Sequence, residues 1–412
     1  MKIFLIITLP LLLFANECLN CHKIDLKTHA PMHYSLNKEI SLTLKAWGLK
    51  EYNYTLENLP EIKDSNTLNS KSKLNRNLAI DFLRRKCLQC HLNSKRVNPS
   101  GNSCLACHNP HSNKNDDIKA KATEQKCLKC HNGNFIGTDY LGLFPKDFDE
   151  SYRAPIQSDG SYPKRLGGID YHHLIEDIHS KKGLTCISCH NNKNGNFEKV
   201  SCISCHQNIS SKNHPKYHSK ISCIACHSAW QTNSYKSIIL RSDMPNYKDF
   251  KRLTLSQDPY LENFLQKALK NSKIAPAMPD FLTNKIYKGL WYLGYEFRRW
   301  ENFYLINYRD KIELARPLLD FELTYVDDKN RTIIDAKKFG GFVVTKPHTI
   351  IKEAKSCENC HNNRLNLSDK SLINYKLLKG NLLEGSNLTK EQIEHLKSTK
   401  YKLLRAKELF KR

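Results

Sequence analysis

The first 230 residues show little helical or strand periodicity after an apolar start. Ile3 to Phe14 form a nearly unbroken apolar run, and short mixed segments then alternate with polar stretches. We expect irregular chain, short helical turns and few long helices in this half. The polar stretches, rich in Asn, Ser and Lys, are predicted to be surface loops or connectors: Lys63–Asn77, Asn93–Asn102, Ser112–Lys121 and Asn191–Asn196.

Ordinary secondary-structure patterns begin after residue 230. Residues 321–325 and 331–334 flank a polar turn and predict a β-hairpin, and residues 340–344 predict a further strand. Asp258 can cap a helix that has Pro259 in its first position. Its apolar face consists of Leu261, Phe264, Leu265, Ala268 and Leu269. Segment 231–355 is therefore predicted to be a small mixed α/β element.

The two ends of the chain have their own patterns. Residues 1–15 combine Lys2, the apolar run and the small residue Ala15, which predicts a signal peptide cleaved near Ala15. The run is short for a membrane span, and an uncleaved anchor is the alternative. At the other end, Thr389 and Gln392 form a capping box ahead of a loose apolar stripe. We expect a C-terminal helix that docks on the protein or contacts a partner or a membrane.

All sixteen cysteines stand in one repeated word, Cys-x-x-Cys-His, which begins at positions 18, 87, 104, 127, 186, 202, 223 and 357. This is the attachment sequence of c-type haem. Two thiols bind one porphyrin, and the adjacent imidazole binds its iron from the proximal side. Zinc ribbons and disulfides also use CxxC pairs. With 18 His among 412 residues, however, a His after all eight pairs has a chance probability of roughly 10⁻¹¹.

The cofactor prediction is therefore eight c-type haems. Covalent attachment is assigned to the sixteen cysteines: Cys18, Cys21, Cys87, Cys90, Cys104, Cys107, Cys127, Cys130, Cys186, Cys189, Cys202, Cys205, Cys223, Cys226, Cys357 and Cys360. The proximal iron ligands are the eight histidines that follow them: His22, His91, His108, His131, His190, His206, His227 and His361.

Six of the words form two triplets, at residues 87–131 and 186–227. Their starts are separated by 17 and 23 residues in the first triplet and by 16 and 21 in the second. Similar spacing suggests a duplicated module, although close-packed haems could impose it without shared ancestry. The predicted organisation is a seven-haem region at 16–230, the haem-free segment 231–355, and an eighth haem with the C-terminal helix at 356–412. The fold class is a multihaem cytochrome c, in which mostly α and irregular chain wraps around stacked haems.

The ligand on the second side of each iron decides whether that haem is open. Only four Met occur in the chain, so we expect bis-histidine ligation and low potentials for most haems. His395, on the terminal helix, is the predicted non-ligand. A haem left open would be sought at Cys18, Cys127 or Cys357, because His179, His214 and His218 can serve the second triplet. The predicted distal ligands are His29, His33, His111, His172, His173, His179, His214, His218 and His348.

The chain is strongly basic, with 65 Lys and Arg against 41 Asp and Glu and a formal charge of +24. A basic surface attracts acidic redox partners, small anionic substrates or anionic membrane surfaces. Nucleic acid is a poor partner for an exported haem protein. None of these patterns predicts the oligomeric state.

Longer words around the haem motifs carry a family resemblance: IGTDYLG at 136–142, YHHLIEDIHSKKGLTCISCH at 171–190, CIACHSAW at 223–230, RRWEN at 298–302 and PHTIIKEAKSCENCH at 347–361. They resemble the large exported multihaem c-type cytochromes of anaerobically respiring bacteria. In architecture the chain is more distantly similar to octahaem hydroxylamine oxidoreductases, nitrite reductases and tetrathionate reductases. The resemblance implies bis-histidine haem chains, periplasmic haem attachment and respiratory electron transfer. The word CxxCK, found in several of those catalytic sites, is absent from this sequence.

Two functions fit these observations. The first is electron transfer between a membrane quinol dehydrogenase, or another redox protein, and an acceptor, with the protein setting haem potentials through ligands and burial. The second is an oxidoreductase that acts on a small nitrogen or sulfur oxyanion at one open haem, where Lys, Arg or His supply protons and charge. We favour the first, because the candidate histidines suffice to saturate every haem.

Overall fold

The computed structural model describes residues 36–49, 53–90, 124–131, 137–145, 171–190, 201–208, 214, 216–235, 237–243, 266–267, 270–271, 276–293, 297–300, 302–308, 310–356 and 373–376. The predicted signal peptide, the C-terminal helix, three of the polar connectors and most of the helix after Asp258 lie outside these ranges. Within the described ranges, no helix is long and apolar enough to cross a membrane. The predicted boundaries at residues 15, 230 and 355 stay predictions.

Residues 36–90 form a helical region. Helix α1 spans Asn37–Ala46, α2 spans Ser65–Leu68 and α3 spans Leu74–Arg85. Short 3₁₀ turns lie at Lys71–Lys73 and Cys87–Cys90. The prediction of a surface loop at Lys63–Asn77 is therefore wrong.

Polar side chains in that stretch stabilise the helices. Asp64 caps α2, since its carboxylate accepts a hydrogen bond from the backbone N–H of Thr67 at 2.7 Å. Leu68 is fully buried. Asn77, 5% exposed, donates through its side-chain amide to the carbonyl of Thr67 at 2.7 Å. Capping and burial thus outweigh the loop-forming tendency of Asn and Ser.

The remaining helices are short and carry or flank the haem words: α4 Glu124–His131, α5 Ile178–Lys181, α6 Cys186–Cys189 and α7 Cys223–His227. The described strands are β1 Leu143–Pro145, β2 Tyr171–His173, β3 Asn233–Tyr235, β4 Ser237–Ser242, β5 Ala277–Pro279, β6 Ile286–Lys288, β7 Leu290–Leu293, β8 Phe297–Arg299, β9 Asn302–Tyr308, β10 Lys311–Val326, β11 Thr332–Val344 and β12 Ile373–Lys376.

A six-stranded sheet dominates the described part of segment 231–355. Its neighbour order is β12-β9-β10-β4-β7, and β11 also pairs with β10. Strand β10 is antiparallel to β9 and β11 but parallel to β4. The structure also contains three two-stranded sheets, β1-β2, β3-β8 and β5-β6.

Strands β10 and β11 form the predicted hairpin. Tyr325 faces Ile334 across the pair, and the Asp327 carboxylate closes the turn by accepting from the backbone N–H of Arg331 at 2.8 Å. The hairpin prediction is confirmed, but the strands extend far beyond the predicted residues. Residues 340–344 continue β11 and are not a separate strand.

Helices α1 and α3 pack against this sheet through aromatic side chains. The Trp47 ring lies 6.1 Å from those of Phe82 and Trp291, and 5.2 Å from that of Phe321. Trp47 and Trp291 are almost completely buried. Residues from the region before the first haem triplet therefore share one hydrophobic core with the sheet.

A buried ion network lies in the same core. Arg241 Nε is 3.0 Å from Asp81 Oδ2, and its Nη1 is 2.7 Å from Asp243 Oδ1. Arg85 Nε lies 2.8 Å from Asp81 Oδ1. Gly289 leaves room for the guanidinium, because a Cβ there would approach Arg241 Nη1 to 1.8 Å, and its φ of +103° also favours glycine.

The third haem word of the second triplet docks on the sheet. The backbone N–H of Ser222, which caps α7, donates to the carbonyl of Ile312 in β10 at 3.0 Å. Ala225 of α7 is buried against Leu305 and Leu314. Strands β9 and β10 thus support the haem word at Cys223.

Candidate haem sites

Four of the described haem words lie on single helical turns, and the word at Cys127 lies at the end of the longer helix α4. Cys186–Cys189 and Cys223–His227 are α-helical, whereas Cys87–Cys90 and Cys202–Ser204 form 3₁₀ turns. Residues three apart on a helical turn share one face. The two thiols of each word are thereby placed on the same side, as attachment to one porphyrin requires.

Polar caps fix the start of two of these turns. Thr185 and Ser188 form a capping box at α6. The Ser222 hydroxyl accepts a hydrogen bond from the backbone N–H of Ala225 at 3.3 Å at the start of α7. Each cap residue directly precedes the first cysteine of its word, so local sequence determines where the turn begins.

Imidazole rings meet in three pairs within the described residues. Each pair joins the proximal histidine of one word with a histidine from outside the words. The pairs and their centroid distances are His179 with His206 at 6.1 Å, His190 with His348 at 6.2 Å, and His214 with His227 at 6.3 Å.

This spacing fits two axial ligands of one metal. Bonds between a metal and an imidazole nitrogen are about 2 Å long, so two imidazoles bound on opposite sides of one iron have centroids about 6 Å apart. Direct stacking would bring aromatic rings closer, to about 4.5 Å at the short end of the usual range. The donor sets in the second triplet therefore fit haem iron with two imidazole ligands.

The third outside partner is His348, which lies nine residues before Cys357 in the sequence. His348 lies half-buried in the loop after β11, opposite His190 of the first word in the second triplet. His218, grouped with this triplet from the sequence, is half-buried at the end of a short 3₁₀ turn, Lys216–His218. The fold brings the distant loop that carries His348 next to the second triplet. The spacing of residues along the sequence does not predict this contact.

The other predicted site residues are distributed as follows. His131 and His173 are exposed, and the side chain of His172 is not described. The histidines outside the described residues are His22, His29, His33, His91, His108, His111 and His361. The cysteines outside them are Cys18, Cys21, Cys104, Cys107, Cys357 and Cys360.

Thiols of neighbouring words also meet. The Cys127 side chain lies close to that of Cys186, and the Cys202 side chain lies close to that of Cys223. The neighbouring Cys127 and then burial raise the pKa of the Cys186 thiol. Cys189 and Cys205 are close enough to interact electrostatically. The words that begin at 127, 186, 202 and 223 are thus consecutive neighbours in space.

The word at Cys87 lies in a different setting. Cys87 packs against the core shared by the helices and the sheet, and Leu88 is only 3% exposed. Burial raises the pKa of the Cys87 thiol to about 12. It lowers the pKa of the adjacent Lys86 ammonium to about 8. A haem attached at Cys87 would therefore lie at the edge of the hydrophobic core.

Two buried carboxylates hold the loop that carries His348. Asp139, 1% exposed, accepts a hydrogen bond from the backbone N–H of His348 at 2.8 Å. Burial raises the pKa of Asp139. Asp177, 2% exposed, accepts from the backbone N–H of Ile350 at 2.7 Å. Sequence reasoning had not assigned these carboxylates a role, although both lie in words that carried the family resemblance.

The same loop lies beside α7. The backbone N–H of Ile351 donates to the carbonyl of His227 at 2.9 Å, and Nδ1 of His227 lies 3.2 Å from the Ile351 carbonyl. Thr349 and Trp230 also exchange hydrogen bonds. A proximal histidine that donates through Nδ1 keeps Nε2 available for a metal. The loop therefore contacts the haem words at both ends of the second triplet.

Comparison with known proteins supports covalent haem. A family model described as a doubled CXXCH motif matches residues 97–134, which contain the words at Cys104 and Cys127. No curated protein and no solved structure matches the chain. The doubled motif indicates a multihaem c-type cytochrome, in which haem is bound covalently through these cysteines.

Proposed function

We propose that the chain is an exported octahaem c-type cytochrome that transfers electrons in anaerobic respiration through bis-histidine haems. The observation that supports this most is the set of three imidazole pairs at 6.1 to 6.3 Å. In each pair a proximal histidine is matched by a ligand from elsewhere in the chain. The doubled motif supports covalent haem, and the eight Cys-x-x-Cys-His words in the sequence are the basis for proposing eight haems.

Two protein ligands on one iron leave no position for a substrate. Haem in such a site accepts and releases one electron, and its potential depends on the ligands and their hydrogen bonds. The side chains of His179, His214 and His348 would therefore close the three haems of the second triplet. These ligands keep the coordination of each iron the same in both oxidation states. This suits electron transfer better than the catalysis of bond making or breaking.

The neighbouring thiols support an electron path. Each pair of neighbouring cysteine side chains brings one word close to the next, in the order 127, 186, 202 and 223. Porphyrins attached to these sulfurs would be neighbours in the same order. The four haems would then form one continuous series, through which an electron can move without a mobile carrier.

The charge and the family resemblance suggest the partners. A formal charge of +24 favours docking of acidic redox proteins and, near a membrane, of anionic surfaces. A membrane quinol dehydrogenase or another redox protein in the periplasm is the proposed donor. The acceptor is a terminal reductase or a second electron carrier.

The test uses the holoprotein, secreted by a bacterium that matures c-type cytochromes. Intact mass should equal the chain without residues 1–15 plus eight haems, and a chemical reductant should reduce all of them reversibly. Nitrite or sulfite should not reoxidise the reduced protein, and neither should change the ferric spectrum of the oxidised protein.

Turnover of either oxyanion, with one haem whose spectrum responds to it, would overturn the proposal in favour of an enzyme with an open haem. A mass with fewer haems would overturn the octahaem count. Retention of residues 1–15 would overturn cleavage of the signal peptide and favour the anchor.

A further inference from the structure

Asp177 lies between two of the imidazole pairs. Its Oδ1 accepts hydrogen bonds from the backbone N–H and from Nδ1 of His179, both at 2.8 Å. Its Oδ2 accepts from the backbone N–H of Ile350 at 2.7 Å, two residues beyond His348. The carboxylate is 2% exposed. One buried side chain therefore contacts both the helix with His179 and the loop with His348.

The bond to Nδ1 determines which nitrogen of His179 is available. A carboxylate can only accept, so Nδ1 carries the proton and Nε2 keeps its lone pair. Metal-bound histidines commonly donate the other ring N–H to a carboxylate, which fixes the ring and makes it a stronger donor to the metal. Asp177 places His179 in that arrangement opposite His206.

His348 is held differently. Asp139 Oδ2 accepts from its backbone N–H at 2.8 Å, while Asp139 Oδ1 accepts from the backbone N–H of Gly137 at 2.7 Å. Nδ1 of His348 is buried and has no hydrogen-bond partner among the described residues. The carboxylates thus fix the loop of His348 through the backbone, without strengthening its imidazole as Asp177 strengthens that of His179.

We propose that Asp177 is a positioning residue for two adjacent haems: it orients His179 as a strong donor to the haem at Cys202 and fastens the loop that supplies His348 to the haem at Cys186. This inference rests on the proposed function, because it requires His179 and His206 to share one iron. A stronger imidazole donor stabilises ferric over ferrous iron. The haem at Cys202 should therefore have a lower potential than the haem at Cys186.

The test is a spectroelectrochemical titration of holoprotein with Asp177→Asn, followed by electron paramagnetic resonance of the oxidised sample. Asparagine keeps the shape and one acceptor but removes the charge. We expect unchanged haem content, a higher midpoint potential for the haem at Cys202, and a shift in one low-spin ferric signal. The haem at Cys186 should be unaffected, because the side-chain oxygen of Asn can still accept from the backbone N–H of Ile350 and keep the His348 loop in place. Asp280→Asn is the matched control, because Asp280 is 1% exposed and bonds Arg84 at 2.5 Å in the sheet core. It should shift neither reading.

Should Asp177→Asn yield no holoprotein, Asp177→Glu replaces it, since it keeps the charge and displaces the carboxylate by one methylene. It should shift the same single component. The inference is overturned if neither variant shifts the midpoint potential of any component of the titration. It is also overturned if Asp280→Asn produces the same shift. The wild-type spectrum separates this failure from failure of the proposed function: low-spin haems in wild type with no variant shift reject only the role of Asp177, whereas absence of bis-histidine haems rejects both.

Discussion

At the scale of single residues, His348 shows how a ligand can be distant in sequence and close in space. Its backbone N–H is bonded to Asp139, and a second buried carboxylate, Asp177, holds Ile350. The Tyr140 ring also packs edge-on against the His348 ring, with 6.3 Å between centroids. Three side chains from other segments thus define where this imidazole lies.

Replacing His348 by Ala should open the haem at Cys186. The lost imidazole leaves one coordination position to water, so about one haem in eight should become high-spin ferric and bind added cyanide or imidazole. Electron paramagnetic resonance and a ligand titration measure both effects. Lys346→Ala, an exposed change in the same loop, is the control and should leave every haem low-spin. An unchanged spin state in His348→Ala would contradict the assignment.

The sequence predicts attachment residues better than it predicts ligand partners. Cys-x-x-Cys-His is a local word, so its cysteines and proximal histidines can be read directly. The pairing of His190 with His348 depends on the loop after β11 reaching back to α6, which no local spacing encodes. Asp139 and Asp177 are ordinary acidic residues in the sequence. Their role is shown only by the structure, in which both carboxylates are buried and accept hydrogen bonds from backbone N–H groups of the His348 loop.

At the scale of elements, the sheet and helices α1 and α3 form the support against which the haem words at Cys87 and Cys223 pack. The hairpin was predictable because its turn is polar and its strands are apolar. The helices in Lys63–Asn77 were not, because their stability comes from tertiary burial of Leu68 and Asn77. The length of β10 was also hidden, since Pro317 and a bulge between Leu318 and Phe321 interrupt its pattern.

Gly289→Ala should destabilise this support strongly. The new Cβ would displace the Arg241 guanidinium from Asp81 and Asp243, and disruption of a buried ion pair costs about 3–5 kcal/mol. Gly48→Ala is the control, because φ is +67° there but nothing lies within 4 Å of the added Cβ. It should cost only about 1–2 kcal/mol of backbone strain. Denaturant unfolding followed by circular dichroism measures the difference, and equal effects would contradict the packing described here.

At the scale of the whole molecule, charge should govern encounters with redox partners. The formal charge of +24 attracts anions over a distance that shrinks from about 30 Å at 0.01 M salt to about 3 Å at 1 M. Reduction by an anionic one-electron reagent should therefore slow by roughly tenfold across this range. A cationic reagent of similar size should accelerate instead. Stopped-flow rates that do not depend on salt for either reagent would remove the electrostatic argument for acidic partners.

The central claim is that His179, His214 and His348 are the second axial ligands of the three haems attached to the second triplet. Near-infrared magnetic circular dichroism of the oxidised holoprotein tests it most directly, because the charge-transfer bands of low-spin ferric haem distinguish bis-histidine from histidine–methionine ligation. The structure predicts at least three bis-histidine haems, each lost in turn when one of the three histidines is replaced by Ala. Fewer than three such haems in the wild-type protein, or a count that none of the three replacements lowers, would contradict it.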